Sequence, residues 1–291
     1  MIADLTRKTP VIVQGAGGRA AQRHTDRMLE FGTNVVAGVS SRAGRMHGSI
    51  PIFETCREAV HATGSVVSLI MSPADRVLHA TEEALGAGIK LVVTIAEGLP
   101  VRDALQIGGL VKAKEAQWIG ASTPGLVIPG EIKLGFLPDV SIRPGKFGLM
   151  AKSGTLAYEV GYRLVGAGLG QSLWVGVGGD PVKGTRFADL LQTYQHHDPT
   201  RGIILIGEVG GNEEEEFAAA VEKSSTYKPI YALIAGSNAK EGVSMGHAGA
   251  MVFGSVGSFQ SKKQALEAAG ARVFANVENL VAACRDDQRA R

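Results

Sequence analysis

The chain has 291 residues, enough for one large domain or two of ordinary size, and its 45% hydrophobic and 20% charged residues are the balance of a globular protein. A net charge of +2 gives no general electrostatic basis for binding nucleic acid or an anionic membrane, and no run approaches the roughly 18 apolar residues of a membrane span. Cys56 and Cys284 are too few for a disulfide framework and read as free thiols, and Met1–Thr6 lacks the basic and apolar segments of a leader, so a soluble, cytoplasmic protein is expected.

Strands and helices alternate along the chain. The apolar run Pro10–Gln14 leads into Gly15-Ala16-Gly17-Gly18, and a helix follows from Ala20 to Phe31. Strands are predicted at Asn34–Val39, Pro51–Phe53, Ser65–Ile70, Lys90–Ile95 and Gln117–Gly120. Helices are predicted at Thr55–Thr63, Ala74–Ala87 and Val101–Glu115. From Ser122 to Pro144 the pattern breaks: Pro124, Pro129, Pro138 and Pro144 sit among glycines, which predicts a connector with little regular structure. A second alternation follows, with strands at Lys146–Met150, Ser172–Val177, Gly202–Ile206 and Pro229–Ile234, and helices starting near Thr155, Arg186, Glu213 and Lys262. Such alternation predicts parallel sheets covered by helices in two α/β domains, 1–122 and 146–291, with 123–145 as connector. Glu213–Glu216 are expected to open a helix, where negative charge suits the dipole.

Three glycine-rich loops follow strands. Gly15, Gly17 and Gly18, with Arg19 and Ala20, stand where a backbone can approach a phosphate and a helix N-terminus can supply N–H donors. The spacing departs from a dinucleotide fingerprint, and no acid ends the second strand; Ser40-Ser41-Arg42-Ala43-Gly44-Arg45 follows it, favouring a phosphate-rich ligand over a ribose diol. A tight turn with no ligand is the plainer reading of the same residues. Ser153-Gly154-Thr155 opens a helix as a second anion cradle, and Gly178-Gly179-Asp180-Pro181 is a third loop. His247 lies between small residues in Gly246-His247-Ala248-Gly249-Ala250. A lone histidine is more often structural, but an imidazole so placed is accessible, and it is a competent nucleophile toward a phosphoryl group when a carboxylate orients it. Glu208, just past a strand, offers that carboxylate.

Taken in order, Val13-Gln14-Gly15, Gly88–Leu91, Thr94-Ile95-Ala96-Glu97-Gly98, Ser153-Gly154-Thr155-Leu156, Gly178–Pro181, Ile206-Gly207-Glu208 and Met245–Ala250 resemble the α subunit of succinyl-CoA synthetase, also called succinate–CoA ligase, from near Thr9 to about Ala271. The resemblance implies an N-terminal Rossmann-like domain that binds CoA through Gly15–Ala20 and Ile95, Ala96 and Glu97, followed by a flavodoxin-like domain. It implies an NTP-dependent, NDP-forming acid–CoA ligase of the tricarboxylic acid cycle, acting on succinate or a related small carboxylic acid. His247 would take a phosphate from ATP or GTP and pass it to the acid, Glu208 would orient it, Ser153, Gly154 and Thr155 would stabilise the phosphohistidine, and Tyr158 would lie near the acid. The nucleotide and its Mg would be bound mainly by a β subunit of ATP-grasp fold, in an αβ or (αβ)2 complex. No metal site is expected on this chain.

The chain departs from the family pattern on the CoA side. Gly15-Ala16-Gly17-Gly18-Arg19-Ala20-Ala21 stands for the usual Gly-Phe-Thr-Gly-Ser-Gln-Gly, the usual lysine after the second strand falls at Ala43, and Ala121–Gly125 replaces Pro-Asn-Cys-Pro-Gly. Arg19, Arg42 and Arg45 could substitute for the lost phosphate contacts. The alternative of another class is a non-catalytic or regulatory CoA- or nucleotide-binding protein that retains the fold; an NAD-dependent dehydrogenase ranks third, since the acid after the second strand is missing.

Overall fold

A computed structural model describes residues 1–41, 46–224, 228–239, 242, 250–252 and 257–287. The chain divides into two compact units: Met1–Phe136 with Val182–Gly184, and Leu137–Pro181 with Thr185–Arg291.

The first unit starts with β1 (Val11–Gln14), α1 (Arg19–Phe31), β2 (Val35–Val39), β3 (Met46–His47), β4 (Ile50–Phe53) and α2 (Cys56–Thr63). It continues with β5 (Val67–Ile70), α3 (Ala74–Gly86), β6 (Leu91–Thr94), α4 (Val101–Ala113), β7 (Gln117–Gly120), β8 (Gly125–Ile128) and β9 (Ile132–Gly135). The strands run β3-β4-β2-β1-β5-β6-β7, parallel except for β3 against β4. Without the β3 edge this is the doubly wound order of a Rossmann fold, and its crossover reverses direction between β1 and β5. Strands β1, β5 and β6 are buried throughout, as a sheet covered on both faces requires. The core on one face gathers Ile12, Ala37, Cys56, Val77, Ile107 and Trp118. Trp118 is buried but not orphaned: its indole N–H donates to Thr94 Oγ1 at 2.7 Å.

The stretch expected to be irregular contains β8 and β9, an antiparallel pair turning at Gly130 (φ +84°). Its apolar residues are the reason: Leu126, Val127, Ile132 and Leu134 are fully buried, and each such burial stabilises by about 1.5–3 kcal/mol. The pair is fastened to the end of α1. Thr33 Oγ1 donates to the Lys133 carbonyl and accepts the Lys133 N–H, both at 2.9 Å, and the Lys133 ammonium stands 5.0 Å from the Phe31 ring centre.

The second unit contains β10 (Pro144–Ala151), α5 (Gly154–Gly166), β11 (Gln171–Gly176), α6 (Phe187–His196) and β12 (Gly202–Glu208). It ends with α7 (Glu213–Glu222), β13 (Ile230–Ala235), α8 (Phe259–Ala268), β14 (Arg272–Phe274) and α9 (Val277–Asp286). Its strands run β14-β13-β12-β10-β11, all parallel, which is the flavodoxin-like 2-1-3-4-5 order with its switch point between β10 and β12. The two-domain α/β class expected from the alternation is the one observed. The closing pair β14 and α9 was not among the predicted elements; α9 is capped by Asn276, whose side chain accepts the Asn279 N–H at 2.9 Å, and it buries Leu280, Val281 and Cys284. Both cysteines are free and buried, and burial pushes each thiol up to about 12, so neither is a thiolate at neutral pH.

Candidate active site

In the first unit the chain reaches the switch point at Gly15. Gln14 pairs with Ile70, and Ile70 with Thr94, so Gly15, Met71 and Ile95 leave the sheet side by side. Gly15 has φ +77°, and a Cβ there would stand 2.9 Å from the Met71 carbonyl carbon and 3.0 Å from the Ser72 nitrogen. Only glycine fits. The turn is tied down by N–H groups of Gly15 and Ala16, both donating to the Val39 carbonyl at 3.0 and 3.1 Å. Gly18 is the N-cap residue of α1 and has no side chain to cap it, so the first-turn N–H groups can meet a bound anion. Gly18, Arg19 and Ala20 are exposed, Gly17 is half-buried, and Ile95 and Ala96 are half-buried with Glu97 exposed beyond them. The structure thus brings together two segments that are 80 residues apart in part of their numbering, the Gly15–Ala20 turn and Ile95–Glu97, at one end of one sheet. Gln14 serves the fold instead, donating to Ser68 Oγ and the Ala80 carbonyl, each at 3.0 Å. Arg42 and Arg45 lie outside the described residues.

The second unit repeats the logic. Ala151 pairs with Ile206 on adjacent strands, and the Lys152 N–H donates to the Ile206 carbonyl at 3.1 Å. Ser153 and Glu208 therefore leave the sheet next to each other at the switch point. Ser153 is the N-cap of α5, its hydroxyl accepting the Leu156 N–H at 3.3 Å, and Gly154 and Thr155 form the first turn, where N–H groups point outward. Glu208 is 9% exposed and sits at the last position of β12, paired with Ala235 of β13. The third glycine loop emerges from β11, with Gly178 at φ +93° and the Val177 N–H donating to the Ala151 carbonyl at 2.8 Å. Its end, Val182–Gly184, belongs to the first unit. Tyr158 is one turn into α5 and half-buried, its ring 6.2 Å from that of Trp174; burial holds the phenol at about 12, so it stays neutral. His247 and its neighbours Met245–Gly249 lie outside the described residues.

Sequence reasoning missed the charges beneath this turn. Lys152 places its ammonium 2.9 Å from Glu214 Oε1 and 3.8 Å from Glu213 Oε2. Lys262 of α8 is fully buried and pairs with the other Glu214 oxygen, while donating to the Gly210 carbonyl at 2.7 Å. Burial alone would lower the Lys152 ammonium, but Glu214, Glu213 and, last, Glu208 hold it above the ordinary lysine range. Burial alone would raise the Glu214 carboxyl, and Lys152 and Lys262 outweigh it and hold it below the usual carboxylate range. Glu213–Glu216 do open α7 as expected, yet Glu213 and Glu214 are buried ion-pair partners as well as charges at a helix start. The one sequence signal was Lys152 itself, a charge between the apolar end of a strand, Phe147–Ala151, and a helix cap.

Two sheets with glycine-rich turns at their switch points define a two-unit α/β protein built for phosphate-bearing ligands, and the comparisons with known proteins give that class its content. A family profile for a CoA binding domain matches residues 6–98, and one for a CoA-ligase matches residues 150–272. The chain is 44% identical over 275 residues to the succinate–CoA ligase [ADP-forming] subunit alpha of Aquifex aeolicus, covering 94% of this chain and 90% of the relative. It is 42% identical over 267 residues to subunit alpha 2 of the same enzyme from Archaeoglobus fulgidus, covering 91% and 92%. It also superimposes with a TM-score of 0.87, at 25% identity, on ATP citrate lyase from Methanothrix soehngenii, solved with citrate and coenzyme A; 97% of this chain is covered, and the chain spans 50% of the length of that one. The chain belongs to the succinate–CoA ligase α-subunit family. Among the described residues, no helix is long and apolar enough to cross a membrane and no cluster of His, Cys, Asp and Glu could hold a metal ion.

Proposed function

We propose that this chain is the α subunit of an NTP-dependent acid–CoA ligase, joining succinate or a related small carboxylate to CoA, and that His247 carries the phosphoryl group between nucleotide and acid. The observation that carries the reading is the β10/β12 switch point, where Ala151 pairs with Ile206, so that the Ser153 cap of α5 and Glu208 at the end of β12 emerge from neighbouring strands. A carboxylate there accepts a hydrogen bond from the N–H of the imidazole, raising the nucleophilicity of the other nitrogen and stabilising the charged ring once it is phosphorylated. The Gly154 and Thr155 N–H groups at the start of α5 supply fixed dipoles for the transferred phosphoryl oxygens. Tyr158, neutral and half-buried one turn further on, is assigned the role of hydrogen-bond donor to the organic acid.

The residues of the first unit fit CoA. The Gly15 turn, which only glycine can make against the Met71–Ser72 backbone, leads into the uncapped start of α1, which suits a pyrophosphate, with Gly17, Gly18, Arg19 and Ala20 around it and Ile95, Ala96 and Glu97 past the end of β6, two strands away in the sheet. CoA supplies the thiol that accepts the acyl group. Arg19, together with Arg42 and Arg45, which follow β2 in sequence, would take the place of the family's lysine, since a guanidinium fits phosphate oxygens in a bidentate fork. The relatives are themselves named as subunits, which supports a heteromeric complex; the nucleotide, ATP or GTP with Mg, is assigned to a β partner of ATP-grasp fold in an αβ or (αβ)2 assembly.

The test is acyl-CoA formation by this chain with and without a β subunit, supplied with ATP or GTP, Mg, CoA and succinate. Turnover is expected only with both subunits and is expected to vanish in His247→Asn. Binding of CoA without turnover, under every nucleotide and acid tried, would favour the non-catalytic reading.

A further inference from the structure

The buried charges around Glu214 take no part in the steps above, yet they touch both loops of the switch point. Glu214 Oε1 accepts the backbone N–H of Glu208 at 3.1 Å. The same oxygen takes the ammonium of Lys152, the residue that immediately precedes the Ser153 cap. Gly207, immediately before Glu208, has no side chain, and a Cβ there would overlap Glu214 Oε1 and lie 2.8 Å from its Cγ. Lys262 closes the far side, holding Glu214 and the Gly210 carbonyl together, and the Gly210 N–H donates to the Gly257 carbonyl at 2.8 Å. A carboxylate that only filled a helix start would need none of this.

We propose that Glu214 is a positioning residue for Glu208: it fixes the backbone of that turn, and it occupies Lys152 so that the Glu208 carboxylate is left to serve His247. The inference rests on the proposed roles of His247 and Glu208. Its physical basis is competition inside a dry site. Lys152 is 7% exposed at its side chain and must keep a counter-charge, because an unpaired buried ammonium is strongly unfavourable. Glu208 already attracts it, more weakly than Glu214 and Glu213 do. Removing the Glu214 charge turns Lys152 toward Glu213, 3.8 Å away, and toward Glu208. An ammonium seated on Glu208 takes the carboxylate away from the imidazole without altering any group that touches substrate.

The experiment uses the complex with the β subunit, ATP as phosphoryl donor, and four forms of the chain: parent, Glu214→Gln, Lys152→Met and the double variant. The readouts are the single-turnover rate of phosphate labelling on His247, the KM for ATP, and CoA affinity by titration calorimetry. Glu214→Gln is expected to slow labelling by roughly tenfold or more, the loss of one charge-assisted contact at Glu208. KM and CoA affinity should stay within about twofold, the scatter of distant, independent sites. The double variant is expected to recover most of that loss, because the lysine that captures Glu208 is gone. A double variant slowed by the sum of the two single losses overturns the inference, as does Glu214→Gln at the parental rate or with CoA affinity lost in step. Should Glu214→Gln fail to fold, Glu214→Asp keeps the charge but draws back from the Glu208 N–H; a parental rate there also overturns it. Failure to label the parent removes the proposed role of His247, and this inference with it; labelling of the parent with indifference to Glu214 removes this inference alone.

Discussion

Replacing Gly15 with alanine tests whether the first switch point is a phosphate cradle. The backbone there has φ +77°, a conformation that costs an L-residue about 1 kcal/mol or somewhat more. The new Cβ would also meet the Met71 carbonyl carbon at 2.9 Å and the Met71 oxygen and Ser72 nitrogen at 3.0 Å, backbone atoms just past the end of β5 that cannot turn aside as a side chain could. Overpacking of this kind adds about 1–3 kcal/mol, giving about 2–4 kcal/mol in all. Gly64→Ala is the matched control: φ is +67° and nothing stands within 4 Å of its Cβ, so it carries the conformational cost alone. Relief of the Gly15 clash lifts the turn away from β5 and moves the first N–H groups of α1. Loss of one charge-assisted hydrogen bond to phosphate, about 1.5–3 kcal/mol, weakens CoA by roughly 10- to 100-fold. Titration calorimetry with CoA on parent, Gly15→Ala and Gly64→Ala reads the effect, with thermal melts of the same samples. The expected result is a clear melting loss for both variants, larger for Gly15→Ala, and a CoA defect in Gly15→Ala alone. Parental CoA affinity in a destabilised Gly15→Ala protein would refute the placement of CoA phosphate at this turn.

Glu208→Gln keeps the shape of the side chain and removes its charge, so phosphorylation of the chain by nucleotide should slow by roughly 10- to 100-fold, read as single-turnover labelling; a rate within about twofold of the parent would make Glu208 a structural residue only. The Glu214 carboxyl is held below its ordinary range, so its contribution to stability is present above the unfolded carboxylate value of about 4.3 and is lost as pH falls through the lower folded value. Melting temperatures of the parent should therefore fall more steeply than those of Glu214→Gln below about pH 5, and parallel curves would contradict the ion-pair assignment. Gly207→Ala is expected to lower the labelling rate as well, by displacing Glu214, and normal labelling in a folded Gly207→Ala protein would argue against that contact.

The parts legible in the sequence were those with short-range signals. The turns at Gly15 and Ser153 follow apolar runs and open helices, and Glu208 ends a strand, so their positions at sheet ends could be read without knowing strand order. Strand order itself then put Ser153, two residues past the end of β10, and Glu208, at the end of the paired strand β12, at one sheet end although they are 55 residues apart in sequence. The Lys152–Glu214–Lys262 network could not be read because its members are separated by 62 and 48 residues and Glu214 and Lys262 look like ordinary surface charges. The β8–β9 pair was obscured by Pro124, Pro129 and Pro138, although Leu126-Val127-Ile128 before Pro129-Gly130 is a strand followed by a turn. The family resemblance added what topology alone does not carry, a role for His247, and it did so on the sequence Met245–Ala250.

The most direct test of the central claim is site mapping of the phosphate. The complex is incubated with radiolabelled ATP in the absence of CoA and acid, digested under alkaline conditions that preserve phosphohistidine, and the labelled peptide is sequenced by mass spectrometry. The expected result is one acid-labile, base-stable phosphate on His247, discharged on addition of succinate and CoA. Label on any other residue, or label that succinate and CoA leave in place, would contradict it.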